Sequence, residues 1–212
     1  MNDAVTTSKK VGQRRRGGDP ARRNEILEAA LVLFNERGYD GTGIQDIAER
    51  VGMLKGSLYY HIESKEEILQ ELIRRVYEEG LAVLRAAVSA ERDPSAALHR
   101  VIEDHTRFVL ANTPGVSVAL KELPALTPAY REGLDVLRST YVAELRAVIA
   151  DGVASASLRS TADPDVVVRA VIGTVNGACM WYMRERSEPP TDLPEQIADL
   201  LLEGLSSGGD AH

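Results

Sequence analysis

The sequence predicts an all-α fold, and three observations support that prediction. Apolar residues recur at helical spacing in most long segments of the chain. Asp-Pro or Thr-Pro pairs, typical of the N-cap and first position of a helix, precede several of these segments: Asp19-Pro20, Asp93-Pro94, Thr127-Pro128 and Asp163-Pro164. No segment alternates apolar and polar residues long enough to indicate a strand. We therefore expect three N-terminal helices followed by a larger helical bundle.

The first predicted helix covers residues 21–37, with Asp19-Pro20 at its start and Gly38 at its end. Its apolar residues lie on one stripe: Ile26, Ala29, Ala30, Leu33 and Phe34. This stripe predicts one buried face, so the helix should pack against the elements that follow it.

Two short helices are predicted next. Thr42 and Gln45 match a capping box before a helix over 44–50, in which Ile44, Ile47 and Ala48 face inward. The turn Val51-Gly52-Met53 leads to a helix over about 54–61. A glycine in a tight turn between two short helices indicates a helix-turn-helix.

The remaining chain keeps a helical period. Ser64 and Glu67 form a second predicted capping box, which opens a long helix over about 65–87. The Thr113-Pro114-Gly115 triplet is expected to separate two further helices. The predicted helices after the first long one are 95–111, 116–122, 128–153, 165–185 and 193–205. The predicted division is a flexible arm at 1–18, a helix-turn-helix domain at 19–64 and a helical domain at 65–208.

Charge is distributed unevenly along the chain. The net charge is −7, yet residues 1–62 hold 10 Lys and Arg against 8 Asp and Glu, while residues 63–212 hold 15 against 24. Seven of the first 23 residues are basic, among them Arg14-Arg15-Arg16. A basic front on an acidic body is typical of a chain whose N-terminal part meets phosphate. The three arginines are equally compatible with a solubility tail and with an arm that enters the minor groove.

Several classes of protein are disfavoured. The single cysteine, Cys179, precludes a disulfide framework within one chain and fits a reducing cytoplasm, where we expect it to be a small buried residue. No run of 18 apolar residues indicates a membrane span, and no apolar stretch follows the basic N-terminus as in a signal peptide. The sequence contains no nucleophile elbow or phosphate loop, so neither an enzymatic activity nor a cofactor is expected.

The segment after the predicted turn points to the chemistry of the helix-turn-helix. Lys55, Ser57, Tyr59, Tyr60 and His61 all carry polar tips, whereas Leu58 can anchor the segment. Such a short helix is unstable alone and must be held by its neighbours, with its hydrogen-bonding tips facing outward. The major groove of DNA is read by a surface of this kind.

The run GTGIQDIAERVGMLKGSLYYHIESKEEIL, within residues 23–72, resembles the DNA-binding domain of the TetR family. The resemblance implies a homodimer, a recognition helix over 55–61 and a ligand pocket further along the chain. It also implies that Thr42, Tyr59 and Lys65 contact phosphates, while Lys55, Ser57 and Tyr60 lie near base edges. Leu54 and Ile62 depart from the family pattern, which often has Ser or Thr and phenylalanine there.

Each of these residues has a plainer interpretation. Tyr59 can be a packed core tyrosine, and Lys55 and Lys65 can be solvated surface charges; for these three the DNA contact is favoured. His61 is equally compatible with a DNA contact and with a hydrogen bond to a backbone carbonyl. A metal site at His99, Glu103, Asp104 and His105 is disfavoured against a polar helix face, because a third ligand from elsewhere is lacking.

The middle of the long helices supplies the candidate ligand-binding residues. They are apolar or aromatic and include Phe108, Val109, Val118, Leu120, Tyr141, Leu145, Met180, Trp181 and Tyr182. For any one of them, core packing is the favoured alternative, although helical bundles do build ligand sites from facing helices.

The stretch from His105 to Arg131, followed by Trp181-Tyr182, is similar to the TetR branch that represses sterol-ring and fatty-acid breakdown and answers to CoA thioesters. This similarity implies that a basic residue meets the CoA phosphates. Arg100, Arg107, Lys121 and Arg131 are the candidates, and nothing in the sequence distinguishes among them.

The last two long helices are the expected dimer interface. Val167, Val168, Val171 and Ile172 form one stripe, and Gly173 and Gly177 permit close approach. The second helix contributes a leucine-rich stripe: Leu193, Ile197, Leu200, Leu201 and Leu205. The alternative is that both stripes are buried within one chain.

The leading hypothesis is therefore a TetR-type regulator, in which a small hydrophobic ligand or acyl-CoA thioester releases a homodimer from its DNA operator. A helical carrier or enzyme that retains a structural helix-turn-helix is the main alternative. A nonspecific architectural DNA protein is a second one, disfavoured by the net charge of −7.

Overall fold

The computed structural model describes residues 19–158, 163–185 and 187–205. The arm expected at residues 1–18 lies outside the described residues, as do residues 206–208 of the predicted helical domain and the side chain of Cys179. Every regular element within the described ranges is a helix, which confirms the all-α prediction.

Three helices form the N-terminal part of the fold: α1 (Pro20–Arg37), α2 (Ile44–Arg50) and α3 (Lys55–Leu58). The Asp19 carboxylate accepts a hydrogen bond from the Ala21 amide, and Pro20 occupies the first turn, as the sequence predicts. Gly38 ends α1 with φ +74°, a conformation that favours glycine.

The predicted capping box of Thr42 and Gln45 is wrong. The N-cap of α2 is Gly43, whose amide donates to the Asp46 carboxylate at 2.7 Å. The Thr42 hydroxyl instead donates to the Gly38 carbonyl oxygen at 2.8 Å, and Gln45 donates to Glu49. Thr42 therefore closes the α1–α2 loop from inside.

Helix α3 is shorter than the predicted 54–61, since its regular part ends at Leu58. The chain continues in turns, with Tyr60 N donating to Ser57 O and His61 N donating to Leu58 O. Contacts between i and i+3 of this kind are typical where an α-helix tightens at its end.

Six longer helices and one 3₁₀ turn follow in the described residues. They are α4 (Lys65–Ala90), α5 (Pro94–Ala111), α6 (Thr113–Glu122), the 3₁₀ turn Leu123–Ala125, α7 (Pro128–Ala154), α8 (Pro164–Glu185) and α9 (Leu193–Leu205). Ser64 caps α4 as predicted, but the Glu67 carboxylate accepts a hydrogen bond from the Glu63 amide rather than from the Ser64 amide.

The break predicted at Thr113-Pro114-Gly115 is wrong in its position. Only Asn112 interrupts the helical path, and α6 begins at Thr113. Pro114 lies in the first turn of α6, where a missing N–H leaves no hydrogen bond unmade. The proline therefore starts a helix here instead of separating two helices.

The buried residues form two hydrophobic clusters. One joins α1–α3 to the first half of α4 and to parts of α6 and α7, and it includes Ile26, Phe34 and Leu58. The other joins the second half of α4 to α5, α7, α8 and α9. Val76 on α4 packs against both clusters. Helix α4 thus belongs to both halves of the molecule.

Helix α8 is long and apolar enough to cross a membrane, by length and composition alone. One face of it carries Val167, Val168, Val171 and Val175, all buried against the rest of the chain. Length and composition of this kind also occur in helices that do not cross a membrane, so they do not by themselves indicate a span. The opposite face of α8 is exposed in the single chain.

Candidate DNA-binding surface and ligand cavity

The segment that follows the turn between α2 and α3 is held in place by two buried apolar side chains. Leu58 is fully buried and Ile62 nearly so, and both pack with Ile47 and Ala48 of α2. Leu58 thus anchors the segment as the sequence suggested, and Ile62 serves as the second anchor. With these apolar side chains held in the core, the remaining side chains of the segment can point away from it.

Two arginines of α1 fasten the helix-turn-helix from the side. Arg22 Nη2 donates to Val51 O at 2.8 Å, at the end of α2. Arg23 Nη1 donates to His61 O at 2.8 Å, beyond α3, and its Nη2 pairs with Glu67 at 3.0 Å. The sequence identified both arginines only as basic residues near the N-terminus. Their structural role depends on contacts 29 to 44 residues away, which no local pattern reveals.

An exposed surface surrounds α3. Leu54 is 80% exposed and Tyr60 75%, while Tyr59 is 39% exposed. Lys55 is exposed and Ser57 half-buried on the same short element. Hydroxyl and ammonium groups beside exposed apolar surface can hydrogen-bond base edges, bind phosphates and contact thymine methyl groups.

The other three predicted DNA contacts are placed differently. Thr42 is buried, and its hydroxyl is used inside the domain. Lys65 Nζ donates to Tyr39 O at 2.8 Å and to Thr42 O at 3.0 Å, and it lies 4.0 Å from the centre of the Tyr39 ring. His61 Nδ1 is buried without a hydrogen-bond partner. An ammonium held by two carbonyl oxygens fixes the α1–α2 loop, so two of the three N–H donors of Lys65 and the hydroxyl of Thr42 are used within the domain.

A cavity of about 320 Å³ lies between the helices of the bundle. Its size is at the lower end of the range for small-molecule sites. Most of its wall is apolar or aromatic, and the lining residues are Val76, Tyr77, Gly80, His105, Phe108, Val109, Val116, Ala119, Leu120, Leu123, Leu137, Arg138, Tyr141, Val142, Ile172 and Asn176.

The cavity contains two buried polar atoms without a protein partner, His105 Nδ1 and Tyr141 Oη. The two rings approach to 5.1 Å between centroids. Burial alone lowers the pKa of His105 to about 4 and raises the pKa of Tyr141 above its usual value. Both groups are therefore neutral at pH 7.

The structure separates the sequence-predicted ligand residues into two groups. Phe108 and Tyr141 line the cavity, and so do Val109 and Leu120. Val118 and Leu145 are buried in the two cores instead, because they face away from the cavity. Met180 is half-buried and Trp181 is 61% exposed, and neither lines the cavity.

Sequence reasoning missed His105 as a cavity residue, as well as Tyr77 and Arg138. His105 and Phe108 are one helical turn apart on α5, so a search for polar residues one turn from predicted lining residues would have found the histidine. Arg138 and Tyr141 have the same spacing on α7. Arg138 combines a position in the cavity wall with a side chain that is 65% exposed, which places it at the opening.

The four basic candidates for CoA phosphates differ in their partners. Arg100 pairs with Asp104, and Arg107 pairs with Glu103 and Asp104. Arg131 donates to the carbonyl oxygens of Leu123 and Pro124. Within the described part of the chain, only Lys121 of the four has no ion pair or hydrogen bond.

The metal-site alternative at residues 99–105 gains no support from the geometry. His99 Nε2 lies 2.9 Å from the Asp199 carboxylate on α9, and His105 faces the cavity. Among the described residues no group of three or more His, Cys, Asp or Glu side chains could hold a metal ion.

Comparison with known proteins gives two family matches. Residues 91–205 match a model described as tetracyclin repressor-like, C-terminal domain, and residues 26–72 match bacterial regulatory proteins, tetR family. The repressor KstR2 of Rhodococcus jostii is 30% identical over 198 residues, covering 90% of this chain and 94% of the relative.

Solved structures show the same similarity. The TetR-family regulator PfmR of Thermus thermophilus superposes with a TM-score of 0.77 at 33% identity, covering 84% of this chain and 97% of that one. AibR in complex with isovaleryl coenzyme A and operator DNA superposes with a TM-score of 0.75 at 28% identity, covering 87% and 98%.

Proposed function

Since the chain belongs to the TetR family of bacterial regulatory proteins, we propose that it binds an operator as a homodimer and is released when an acyl-CoA thioester enters its cavity. The observation that carries the ligand part is the cavity of about 320 Å³, whose walls include α4, α6 and α7, three helices that also pack in the cluster of the helix-turn-helix. The isovaleryl coenzyme A and operator DNA bound by the similar AibR support this ligand class and this partner.

Lys55, Ser57, Tyr59 and Tyr60 are the DNA contacts of this proposal. Lys55 and Tyr60 are exposed at the segment that Leu58 and Ile62 anchor. We leave Thr42 and Lys65 out of this set because their polar groups hold the α1–α2 loop. A loop fixed in this way keeps α2, and with it α3, in a defined orientation toward the groove.

The cavity is connected to the DNA-binding part through α6. Val116, Ala119 and Leu120 on this helix line the cavity, while Val118 packs in the cluster of the helix-turn-helix. At the start of α6, the Asn35 side chain of α1 donates to Pro114 O at 3.0 Å. A ligand that displaces α6 thus displaces α1, which fastens α2 and α3.

Helix α4 makes a second connection. Val76, Tyr77 and Gly80 line the cavity, and the same helix begins at the helix-turn-helix. Ligand binding shifts the equilibrium only if the ligand binds one arrangement of these helices more tightly than the other. We propose that the released form is the arrangement with the tighter ligand site.

The exposed face of α8 supports the homodimer. Val166, Ala170, Gly173, Gly177 and Trp181 follow one another at helical spacing on this face. Val166 and Trp181 are each 61% exposed, and a Cβ placed on Gly173 or Gly177 would meet nothing within 4 Å. An apolar face with two glycines one turn apart permits close approach of a second helix.

This face includes the predicted Gly173 and Gly177 but not the stripe of valines and isoleucine that the sequence predicted beside them. Val167, Val168 and Val171 are buried within the chain, and Ile172 lines the cavity, so that part of the dimer prediction is wrong. On α9, Ile197 is likewise buried, whereas Leu200 is 66% exposed. We therefore assign the dimer surface to the α8 face and to Leu200.

The test is fluorescence anisotropy of a labelled DNA fragment from upstream of the protein's own gene, beside a shuffled fragment, at physiological salt. We expect at least about a thousandfold preference for one genomic fragment, as specific DNA-binding proteins show. Isovaleryl-CoA and longer acyl-CoA esters are then added to the bound complex. Equal weak binding of all fragments contradicts the operator part, and undiminished binding with every ester contradicts the ligand part.

The carrier alternative predicts a different result. If the helix-turn-helix were only structural, replacing both Lys55 and Tyr60 by alanine would leave the chain's function intact. We expect instead that this double variant loses operator binding while it binds acyl-CoA esters as the parent protein does. Unchanged operator affinity of a folded double variant would remove these residues from the interface.

A further inference from the structure

The polar atoms that line the cavity indicate more about its ligand than the cavity volume does. His105 Nδ1 and Tyr141 Oη are buried without a hydrogen-bond partner, and both residues line the cavity. Leaving a buried donor or acceptor unpaired costs free energy, about as much as a hydrogen bond contributes or more. Two such atoms on facing helices, with ring centroids 5.1 Å apart, indicate a site for a group that pairs with them.

On one side of His105 the neighbouring side chains offer no hydrogen-bond partner. Phe108 packs against His105 with ring centroids 5.8 Å apart. On α4, a Cβ added to Gly80 would lie 3.5 Å from both His105 Cε1 and Phe108 Cε1. The neighbours on this side are thus an aromatic ring and a glycine, neither of which offers a polar side-chain atom.

The pair also selects against charge. Burial lowers the pKa of His105 to about 4, so the imidazole is neutral at pH 7 and supplies no countercharge. A carboxylate placed between these rings would be desolvated, and the Arg138 guanidinium of the cavity wall lies at the opening, where it pairs with Asp135. A ketone or hydroxyl oxygen loses far less hydration free energy than a carboxylate, and hydrogen bonds to the two rings offset that loss. The neutral imidazole can present Nδ1 as donor or acceptor according to its tautomer, and the phenol can do both.

We propose that His105 and Tyr141 hydrogen-bond a neutral oxygen of the effector inside the cavity, so that the protein selects ligands with a carbonyl or hydroxyl group there over plain hydrocarbon ones. This proposal rests on the proposed function in one respect, that the cavity is the effector site. The oxygen belongs either to the apolar body of the ligand, as a ring ketone or chain hydroxyl, or to the thioester carbonyl of a CoA ester.

A bound water is the alternative partner for these atoms. A buried water typically makes about three hydrogen bonds, and the two unpaired atoms supply two. A ligand oxygen that displaces such a water restores its hydrogen bonds, whereas a hydrocarbon displaces it without replacement. The presence of water between the rings therefore strengthens the selection for an oxygen.

The test uses two neutral probes that differ in one atom position. They are 4-butylcyclohexanone and its analogue in which a methylene group replaces the ketone oxygen. Direct binding to the full-length protein is measured by calorimetry, without DNA. We expect the ketone to bind about tenfold more tightly, the difference that one well-made hydrogen bond provides. Equal affinity, or no binding of either probe, overturns the proposal.

Variants assign the preference to the two residues. Tyr141→Phe removes only the hydroxyl, and it should reduce the preference for the ketone to about threefold or less. Phe108→Leu is the matched control in the same wall, and it should weaken both probes to a similar extent. A tenfold preference that persists in a folded Tyr141→Phe protein overturns the role of the tyrosine hydroxyl. His105→Phe tests the imidazole in the same way.

A second measurement separates this inference from the proposed function and locates the oxygen. If the ketone preference is found but no acyl-CoA ester releases the operator, the polar site stands and the proposed effector class fails. If esters release the operator but the protein binds the two probes equally, the proposed effector class stands and the polar site fails. With isovaleryl-CoA, weaker binding to Tyr141→Phe places the pair at the thioester carbonyl, and unchanged binding places it at the apolar body.

Discussion

Arg23 on α1 donates a hydrogen bond of 2.8 Å to the carbonyl oxygen of His61, which lies just beyond α3. The same guanidinium pairs with Glu67 in the first turn of α4. One side chain therefore joins the first helix, the end of the recognition segment and the start of the helix that leads to the cavity. Because α3 has only four regular residues, this contact holds a segment that cannot hold itself.

Loss of the Arg23 contact is expected to weaken operator binding. Arg23→Leu removes both hydrogen bonds, so the free energy of unfolding should fall by about 1 kcal/mol, since the side chain is partly exposed. Operator affinity, measured by anisotropy, should fall by about tenfold because α3 is no longer fixed. Arg85→Leu breaks the exposed pair with Glu144 far from α3 and is the control. Equal operator affinity of the two variants contradicts the clamp.

Two lysines should respond differently to salt. Lys55 is exposed beside α3, so Lys55→Ala should reduce the slope of log affinity against log salt by about two, because the homodimer loses one cationic DNA contact in each subunit. Lys65 holds the carbonyl oxygens of Tyr39 and Thr42, so Lys65→Met should lower stability and leave the slope unchanged. The opposite pattern would return Lys65 to the DNA interface.

The sequence was most informative where local chemistry decides the structure. Asp19-Pro20 and Asp93-Pro94 start helices because the capping hydrogen bond lies within three residues. Lys65 was assigned to phosphate by resemblance, but its ammonium is bound to carbonyl oxygens 23 and 26 residues away. Such contacts exist only once α1 and α4 are packed, so no spacing within one segment predicts them.

The cavity shows the same limit within a single helix. Tyr141 and Leu145 are one turn apart on α7, and both were predicted to bind ligand. The structure places Tyr141 in the cavity wall and Leu145 fully inside the core. Their hydrophobic pattern is the same, and only the packing of α5 and α8 around α7 separates a lining residue from a core residue.

Acid should destabilise the protein through His105. The pKa of His105 is about 4 in the folded chain, against 6.5 for a solvent-exposed histidine, because burial disfavours the charged ring. The unfolded chain therefore binds more protons between these values, and stability falls as pH drops from about 6.5 to about 4, by up to about 3 kcal/mol.

Chemical unfolding at a series of pH values checks this prediction. His105→Phe should show a shallower loss of unfolding free energy between pH 6.5 and 4 than the parent protein. His99→Gln changes a histidine on the surface beside Asp199 and should not flatten the profile in this way. Identical profiles for the parent and His105→Phe would show that His105 does not carry the effect.

Tyr141→Phe should not destabilise the free protein. The hydroxyl is buried without a partner, so its removal leaves no donor or acceptor stranded and relieves one. We expect the free energy of unfolding to stay the same or to rise by up to about 1 kcal/mol. A loss of about 1 kcal/mol or more in denaturant unfolding would mean that the hydroxyl has a structural partner in the protein.

The last prediction concerns the exposed face of α8 and the oligomeric state. Gly177 lies on this face with open space beyond it, so Gly177→Glu places a charge where the second copy should pack. We expect this variant to sediment as a monomer at micromolar concentration and to lose operator affinity. Val136→Glu is the matched control, since Val136 is 60% exposed on α7, and it should remain a dimer.

The fluorescence of the single tryptophan of the chain reports dimerisation without sedimentation. Trp181 is 61% exposed in one chain and follows Gly177 by one turn of α8. If two such faces meet, its emission should be blue-shifted in the parent protein and in Val136→Glu, and red-shifted in Gly177→Glu. If this face is the interface, a change from dimer to monomer must also expose the indole. A monomeric Gly177→Glu with blue-shifted emission would therefore exclude this face as the interface.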